Sequence, residues 1–518
     1  MANLTPELAK YRDEARGLAA SYGLDFYEVI FEVVDYDELN MIAAYGGFPT
    51  RYPHWRFGME YEQLSKSYAF GLSKIYELVI NNDPCYAYLM RSNSTTDQKL
   101  VMAHVYGHCD FFKNNLWFAK TPRKMMDIMA NHGTQMRKYM DRHGVEEVEN
   151  YIDVVMSLDN LIDMHAPFIK REAAASDKPD DKPGGKPKEQ KVYKIASKDY
   201  MDRYINPPEY MKQHNEPKKD ERDWGLPMGP KRDVLKFLLE NAPLETWQQD
   251  ILAMLREEAY YFAPQGMTKI MNEGWAVYWH SKMMTHHLLE AAEVVSYADS
   301  HAGTLFTQPG QINPYKLGVE LFRDIEQRWD TGKFGIEYQR CDDAVERRQW
   351  DTGAKQGREK IFEVRKVYND VSFVDEFITP EFAEDQKLYV FARNPATGEH
   401  EIVDRDYRKV KTTLLNSLTN FGNPIIEVID ANFENRGELY MYHDWSGADL
   451  EWDAAMQTLK GLYAIWKRPV HIETKDSSTG KSKLLSFDGD EPKIKDLRPA
   501  KEADKDKEVV GQKQEEDG

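Results

Sequence analysis

Apolar residues recur at helical spacing through most of the first 375 residues. Between residues 5 and 40, apolar side chains at positions 8, 9, 11, 15, 18 and 19 repeat with a period near 3.6, which predicts an amphipathic helix. The period returns from Tyr61 to Leu89, continues to about Ile169 and resumes beyond Arg232. A long polar helix is predicted between Asp342 and Asp370.

The pattern changes near residue 379. Segments rich in aromatic and β-branched residues are separated there by Gly, Asn and Pro, which predicts strands and turns: KLYVFARN, HEIVDRDY, NPIIEVIDAN and GELYMYHDW. Two helix-periodic segments lie among them, VKTTLLNSLTNF and LEWDAAMQTLKGLYAIW. The predicted fold class is a mainly α N-terminal domain, for which a zincin-like helical arrangement is one option, followed by a small α+β C-terminal domain.

Charged segments divide the chain. Residues 171–192 begin with REAAASDKPDDKPGGKPKEQ, which lacks large apolar residues and predicts a flexible linker or insertion. This segment splits the helical domain into a first part, 1–170, and a second part, 193–375. The α+β domain spans 379–488, and residues 489–518 alternate Lys with acidic residues, which predicts a disordered tail.

Composition narrows the class of protein. The 518 residues carry a net charge of −19, which disfavours binding to nucleic acid phosphates. The mean hydropathy is −0.69, and no segment approaches the roughly 18 apolar residues of a membrane span. The N-terminus lacks the features of a secretory signal, so we expect a cytoplasmic protein. Three scattered cysteines do not suggest a disulfide framework or a cysteine-based zinc module: Cys85, Cys109 and Cys341.

His104 and His108 form the first candidate site. Four residues apart on a helix, two imidazoles lie one turn above each other and can bind a single ion. Buried histidines that bond to their neighbours would explain the pair equally well. Gly107 favours a special arrangement, because a mid-helix glycine costs about 1 kcal/mol unless something approaches closely.

A second candidate stretch, TKIMNEGWAVYWHSKMMTHH, carries Glu273, His280 and His287 at seven-residue steps, and it has another mid-helix glycine, Gly274. Glu273 and His280 are two turns apart, roughly 10 Å along a helix, so they would not bind one ion together. We therefore predict a divalent metal, most simply zinc, held by His104, His108 and Glu273, with His280 in a supporting or substrate-facing role.

The order His-x-x-x-His followed by Glu on a later helix resembles the gluzincin metallopeptidases. Those enzymes carry a general base directly after the first histidine, where this chain has Val105. Glu77, Glu257 or Glu258 would have to serve as the base instead. A dinuclear carboxylate–histidine site is a further option.

An aromatic loop offers a third candidate. Arg51, His54 and Arg56 could bind an anionic or sugar-like ligand through Arg forks and aromatic stacking. Ordinary packing with surface ion pairs would also account for these residues.

Five blocks in order resemble the SpoVR family, the stage V sporulation protein R family of bacteria: AAYGGFPTRYPHWRFGMEYE, GLSKIYELVINNDPCYAYLM, VMAHVYGHCDFFKNN, TKIMNEGWAVYWH and GREKIFEVR. The resemblance covers about residues 23–488. It implies a role in sporulation through spore cortex formation, or in stress and stationary-phase physiology in a host that does not sporulate. It also implies functional association with a PrkA-type serine kinase and a YhbH/YeaH-type protein.

Two hypotheses follow from these observations. The first is a metal-dependent hydrolase acting on an amide in a peptide or cell-wall precursor, with Glu257 or Glu77 as base and His280 at the substrate. The second is a non-enzymatic regulatory or scaffold protein working with the serine kinase, which the missing base at Val105 favours.

Overall fold

The computed structural model of this chain describes residues 4–69, 77–169, 232–308, 310–394 and 397–497. The predicted linker, 171–192, and residues 498–518 of the predicted tail, 489–518, lie outside these ranges. The second part of the helical domain is described from residue 232.

Helices dominate the described residues up to position 385, which confirms the mainly α prediction. They are α1 (Pro6–Ser21), α2 (Tyr36–Ala44), α3 (Trp55–Ala69), α4 (Thr95–Asn114), α5 (Met125–His143), α6 (Val145–Met156), α7 (Val234–Asn241), α8 (Thr246–Met267), α9 (Lys269–Met283), α10 (Val294–Leu305), α11 (Pro314–Thr331), α12 (Gly335–Gln339), α13 (Ala344–Gln349), α14 (Gly357–Val367), α15 (Asp370–Phe377) and α16 (Pro380–Asp385). Among the described helices, none is both long enough and apolar enough to cross a bilayer.

A small sheet interrupts the N-terminal helices where helical periodicity had been predicted. Strands β1 (Val29–Val34), β2 (Glu77–Ile80) and β3 (Cys85–Met90) pair in the order β1-β3-β2, with β1 and β3 parallel. The helix prediction was therefore wrong for the later part of 5–40 and for the end of the Tyr61–Leu89 stretch. Most of β3 is buried, so it lacks the alternation of apolar and polar residues that identifies a half-exposed strand.

The prediction of one long polar helix between Asp342 and Asp370 was also wrong. Two short helices, α13 and α14, occupy that region, and the segment between them includes Gly353 at φ +63°. A left-handed residue of this kind ends a helix, so one continuous helix cannot form there.

The C-terminal part has the predicted α+β character. It contains β4 (Val390–Arg393), β5 (His400–Asp404), α17 (Tyr407–Leu418), β6 (Ile426–Phe433), β7 (Glu438–His443), α18 (Trp452–Trp466), β8 (Val470–Lys475), β9 (Ser482–Phe487) and β10 (Lys493–Asp496). The last five strands form one sheet in the order β10-β9-β8-β7-β6, antiparallel except between β7 and β8. Its edge strand β10 lies past the predicted boundary at residue 488.

Two large hydrophobic cores organise these elements. The first lies among α1, α4, α9, α11, α14 and α15. The second joins the helices α5 to α8 to the five-stranded sheet and α18, so that Ile152 and Leu252 belong to the same buried cluster as Leu439 and Leu459. The C-terminal sheet is therefore anchored on the N-terminal helices by shared apolar burial.

Helix α9 packs at very short range against α4 on one side and α11 on the other. A Cβ atom on Gly107 of α4 would lie 2.7 Å from the Cα atom of Ala276, and one on Gly274 would collide with the backbone of Gly318 in α11. Real Cβ atoms do not approach other atoms so closely, so these positions require glycine. The mid-helix glycines that the sequence analysis singled out are explained by this backbone contact.

Replacing Gly274 with alanine should lower the free energy of unfolding by about 1–3 kcal/mol or more, because the rigid backbone of α11 cannot yield to the new methyl group. Gly17→Ala is the matched control, since a Cβ atom at that position in α1 meets nothing within 4 Å. Alanine there should raise stability by up to about 1 kcal/mol through its helix propensity. Urea unfolding followed by circular dichroism measures both, and equal stability of Gly274→Ala and wild type would contradict the packing argument.

Candidate metal centre

Helix α4 presents the two histidines of the first motif. It begins after Ser94, whose hydroxyl accepts the N–H of Asp97, and it passes through the protein interior. His104 and His108 point toward α9, with their ring centroids 4.5 Å apart. The spacing of four residues therefore places both imidazoles on one face, as predicted.

Helix α9 carries the carboxylate and is fixed at its first turn. The backbone N–H groups of Ile270 and Met271 donate to the carboxylate of Asp370, at 2.8 and 2.9 Å. These donors have no partner within their own helix, so a side chain from α15 satisfies them. Glu273 follows one turn later, and its position relative to α4 is set by this anchor and by the glycine contacts.

Three ligand atoms converge between the two helices. Nε2 of His104 lies 3.6 Å from Oε2 of Glu273, and Nε2 of His108 lies 3.4 Å from the same oxygen. All three residues offer a ligand atom within 4.8 Å of one another. Two ligands that each lie about 2.1 Å from a tetrahedral zinc are about 3.4 Å apart. The donor set and its spacing therefore fit a single divalent ion.

The other ring nitrogen of each histidine is engaged elsewhere. Nδ1 of His108 lies 2.9 Å from Oδ1 of Asn272, and Nδ1 of His104 lies 2.8 Å from Nδ1 of His280. Because the amide oxygen only accepts, His108 donates from Nδ1 and keeps its lone pair on Nε2. This is the arrangement found around metal-binding histidines, whose second nitrogen donates to a fixed partner.

Glu273 contributes an oxygen without a hydrogen-bond donor among the described residues. Its Oε2 is buried, and the two imidazole nitrogens near it lie beyond good hydrogen-bonding distance. Burial alone raises the pKa of Glu273, whereas protonated imidazoles at His104 and His108 would lower it well below its usual range. With both imidazoles neutral, a cation beside Oε2 would take their place in keeping the carboxylate ionised.

His280 contacts Nδ1 of His104, the ring nitrogen that is not directed at Glu273. Burial, followed by the charges of His104 and His301, lowers the pKa of His280 well below its usual value, so its ring stays neutral and can accept a hydrogen bond. Its Nε2 lies 3.4 Å from Nδ1 of His301 in α10. A row of three imidazoles thus leads from the cluster to a half-buried histidine.

The cluster is nearly enclosed. The side chains of His104 and His108 are 7% and 5% exposed, and that of Glu273 is 17% exposed. The rings of Tyr315 and Phe112 stack beside His104 and His108, respectively. Solvent therefore reaches the cluster mainly on the side of Glu273.

A buried ion pair holds the surrounding helices in place. Asp110 of α4 accepts the indole N–H of Trp275 at 2.8 Å and lies 3.2 Å from the guanidinium of Arg365 in α14. Burial raises the pKa of Asp110 to about 6 against the opposing effect of Arg365. These contacts connect α4, α9 and α14 one turn from the histidines.

Of the proposed bases, Glu257 and Glu258 lie apart from this cluster. Oε2 of Glu257 lies 3.4 Å from Nε2 of His132, whose Nδ1 is 2.9 Å from Oε1 of Glu258. Glu77 begins strand β2, opposite Leu89, and its side chain lies outside the described part of the structure.

The predicted loop residues have separate environments. Arg51 is buried and pairs with Glu258 at 2.6 Å. His54 is buried with its Nε2 3.3 Å from Asp153, whereas Arg56 pairs with Glu60 on the surface of α3. Arg51 and Arg56 border one cavity, and His54 is not among its lining residues.

Sequence reasoning missed the roles of His301, His132 and Asp370. Each acts on a residue more than 20 positions away, so no local spacing signals it. Acidic residues are common in the first turn of a helix. From the sequence alone, a buried aspartate at that position, such as Asp370, therefore looks the same as an exposed one.

Comparison with known proteins gives two matches. Residues 3–423 match the family model described as SpoVR like protein. A protein of Escherichia coli (strain K12) named Uncharacterized protein YcgB is 28% identical over 509 residues, covering 92% of this chain and 93% of the relative. No solved structure matches the chain.

The anchor of α9 predicts a pH dependence of stability. Burial raises the pKa of Asp370 from 3.8 to about 7. The folded state therefore holds this proton more tightly than the unfolded state, so the contribution of Asp370 to stability falls as the pH rises from about 4 to about 7. Asp370→Asn keeps an acceptor oxygen but removes the titration.

We expect the stability of Asp370→Asn to increase relative to wild type across that window, measured by urea unfolding at several pH values. Asp375→Asn, an exposed position on the same helix, is the control and should follow the wild-type curve. A constant difference between Asp370→Asn and wild type would show that Asp370 does not titrate in this range.

Proposed function

This chain belongs to the SpoVR family, and from that premise we propose that it is a divalent-metal protein whose centre is formed by His104, His108 and Glu273. We further propose metal-dependent hydrolysis of an amide, in a peptide or cell-wall precursor, as its reaction class. The family is linked to sporulation. The proposed setting is spore cortex formation, or stress and stationary-phase physiology in a host that does not sporulate.

One observation carries the metal proposal. The Nε2 atoms of His104 and His108 and the donorless Oε2 of Glu273 converge, while the Nδ1 atoms of both histidines are engaged by other side chains. A lone pair and a carboxylate oxygen that face each other in a buried site repel unless a proton or a cation lies between them. Two imidazoles and a carboxylate favour zinc among common divalent ions.

The chain's own residues have separable roles in this proposal. The ion would be bound by His104, His108 and Glu273. The two imidazoles are oriented by His280 and Asn272, and the rings of Tyr315 and Phe112 limit access of water. A bound zinc supplies an acid that polarises a carbonyl and activates water. Val105 has no group that accepts a proton, so the base cannot come from the position that gluzincins use. Of the bases predicted from the sequence, Glu257 and Glu258 lie beside His132 and away from the cluster, so Glu77 is the base we propose.

Metal content tests the centre directly. Purified wild-type protein should contain about one zinc or similar divalent ion per chain by plasma mass spectrometry, and His104→Ala and Glu273→Gln should each lose it. His143→Ala, an exposed histidine of α5, is the matched control and should keep the metal. Absence of metal from wild type after reconstitution, or its retention by both ligand variants, would refute the centre.

The supporting role of His280 has its own test. Loss of a side chain that orients a ligating histidine typically weakens metal binding about 10- to 100-fold. We expect His280→Ala to show this loss in a competition titration against a chelator, whereas His286→Ala, beyond the end of α9, should match wild type. Equal affinity for wild type and His280→Ala would mean that the contact with His104 does not orient the ligand.

The hydrolase proposal is tested separately from metal binding. Metal-loaded protein is offered peptide and muropeptide amides, and product formation should disappear both with a chelator and in His104→Ala. Metal binding without any chelator-sensitive cleavage would leave the centre standing and refute the reaction class.

A non-enzymatic regulatory role is the second candidate, and Val105 favours it because no carboxylate follows the first histidine. In this alternative the acidic protein works with a PrkA-type serine kinase and a YhbH/YeaH-type protein. Affinity capture from the native host should recover these partners with both wild type and His104→Ala. Failure to recover either partner would count against this role.

A further inference from the structure

The cavity bordered by Arg51 and Arg56 lies away from the histidine cluster. It has a volume of about 470 Å³ and is bordered by the segment that follows α2, by α8 and by the turn that follows α17. Cavities of roughly 300–1,000 Å³ hold small molecules in proteins. Its lining does not include His104, His108 or Glu273, so any ligand here would be independent of the metal centre.

The wall of this cavity contains a buried donor without an acceptor. Arg51 is 6% exposed, and its terminal nitrogens donate to Glu258, to the hydroxyl of Tyr52 and to the carbonyl of Tyr45. Its Nε–H has no acceptor among the described residues. A buried donor on a charged group that lacks an acceptor is unfavourable. The Nε atom has almost no accessible surface, so a ligand oxygen in the cavity would relieve this only after the Arg51 side chain turns toward it.

A strained aromatic residue closes the opposite side. Asn420 and Phe421 both adopt left-handed backbone conformations, at φ +50° and +57°. For a bulky residue this conformation is rare and unfavourable, and such strain is concentrated at functional sites. The ring of Phe421 lies against Gly266 of α8, where a Cβ atom would come within 2.7 Å of it, and both residues line the cavity.

The charges of the wall nearly cancel. Arg51 pairs with Glu258 at 2.6 Å and Arg56 with Glu60 at 2.9 Å, which leaves Asp159 as one carboxylate in excess. An anionic ligand is disfavoured by this balance. The remaining polar lining includes the amides of Asn160 and Asn423, which both donate and accept hydrogen bonds.

We propose that this cavity binds an uncharged, hydroxyl-rich ring, that is, a sugar or a sugar unit of a larger molecule. Hydroxyl groups both donate and accept, so one ligand can satisfy the Nε–H of Arg51, the Asp159 carboxylate and the asparagine amides. The apolar face of the ring would lie against Phe421 or Phe262. Of the two ligand types considered for Arg51 and Arg56, the charge balance selects the sugar-like one.

Saturation-transfer NMR on the full chain tests the ligand class. The probes are glucose, galactose, mannose and N-acetylglucosamine, each compared with a hexuronate and an amino sugar built on the same type of ring. We expect at least one neutral sugar to bind and its hexuronate to bind at least about threefold more weakly, because the wall has an excess carboxylate. Binding of charged rings alone would overturn the uncharged ligand, and failure of every ring to bind would overturn the site.

Two variants test whether the sugar binds in this cavity. Arg51→Lys keeps a positive partner for Glu258 but removes the Nε–H, and it should weaken sugar binding about tenfold. Phe421→Gly removes the aromatic wall, while glycine accepts the left-handed conformation without strain. Weaker binding by Phe421→Gly with an unchanged or higher melting temperature therefore cannot result from unfolding.

The controls separate this proposal from the metal proposal. Phe306→Ala removes a phenylalanine that is 68% exposed and does not border the cavity, and it should bind sugar like wild type. His104→Ala should also bind sugar normally if it folds. Wild-type affinity in both Arg51→Lys and Phe421→Gly would overturn the assignment to this cavity, whatever the metal content.

Discussion

The backbone contact of α9 with α4 and α11 is the constraint on which the rest of the candidate centre depends. Gly107, Gly274 and Gly318 remove the side chains that would otherwise separate these helices. At that separation the short imidazole and carboxylate side chains of His104, His108 and Glu273 reach one another. A slightly wider spacing would leave three isolated polar groups in an apolar core, which is unfavourable.

The same interior has to accommodate many ionisable groups, and nearly all of them are compensated. Asp110 pairs with Arg365, Asp370 accepts two backbone N–H groups, and Glu258 lies between Arg51 and His132. Two buried carboxylate oxygens lack a hydrogen-bond donor among the described residues, Oε2 of Glu32 and Oε2 of Glu273. Only that of Glu273 lies where candidate metal ligands converge, which is why a cation is the simplest explanation there.

The candidate metal centre and the cavity bordered by Arg51 use the fold in different ways. The centre lies between helices of the first core, in nearly dry surroundings that strengthen electrostatic interactions. The cavity lies where α8 meets the turn before the C-terminal sheet, and its wall includes the strained Phe421. Rigid helices suit a site that must hold three ligand atoms in register, whereas a site between a helix and a turn can take a larger and more polar ligand.

The sequence by itself determined what depends on neighbouring residues. Helical spacing placed His104 beside His108, mid-helix glycines signalled close packing, and the turn residues after residue 379 identified the C-terminal strands. The sheet formed by β1, β2 and β3 was not predicted. Its apolar strands pair over long distances and show no alternation of apolar and polar residues.

Only the tertiary structure decided which distant groups meet. His108 contacts Asn272 across 164 residues, His104 contacts His280 across 176, and Glu257 lies next to His132 rather than the histidine cluster. The physical reason is that periodicity follows from local backbone geometry, which each segment encodes for itself. Contacts between segments depend instead on how all the buried surfaces fit together, which no single stretch of sequence specifies.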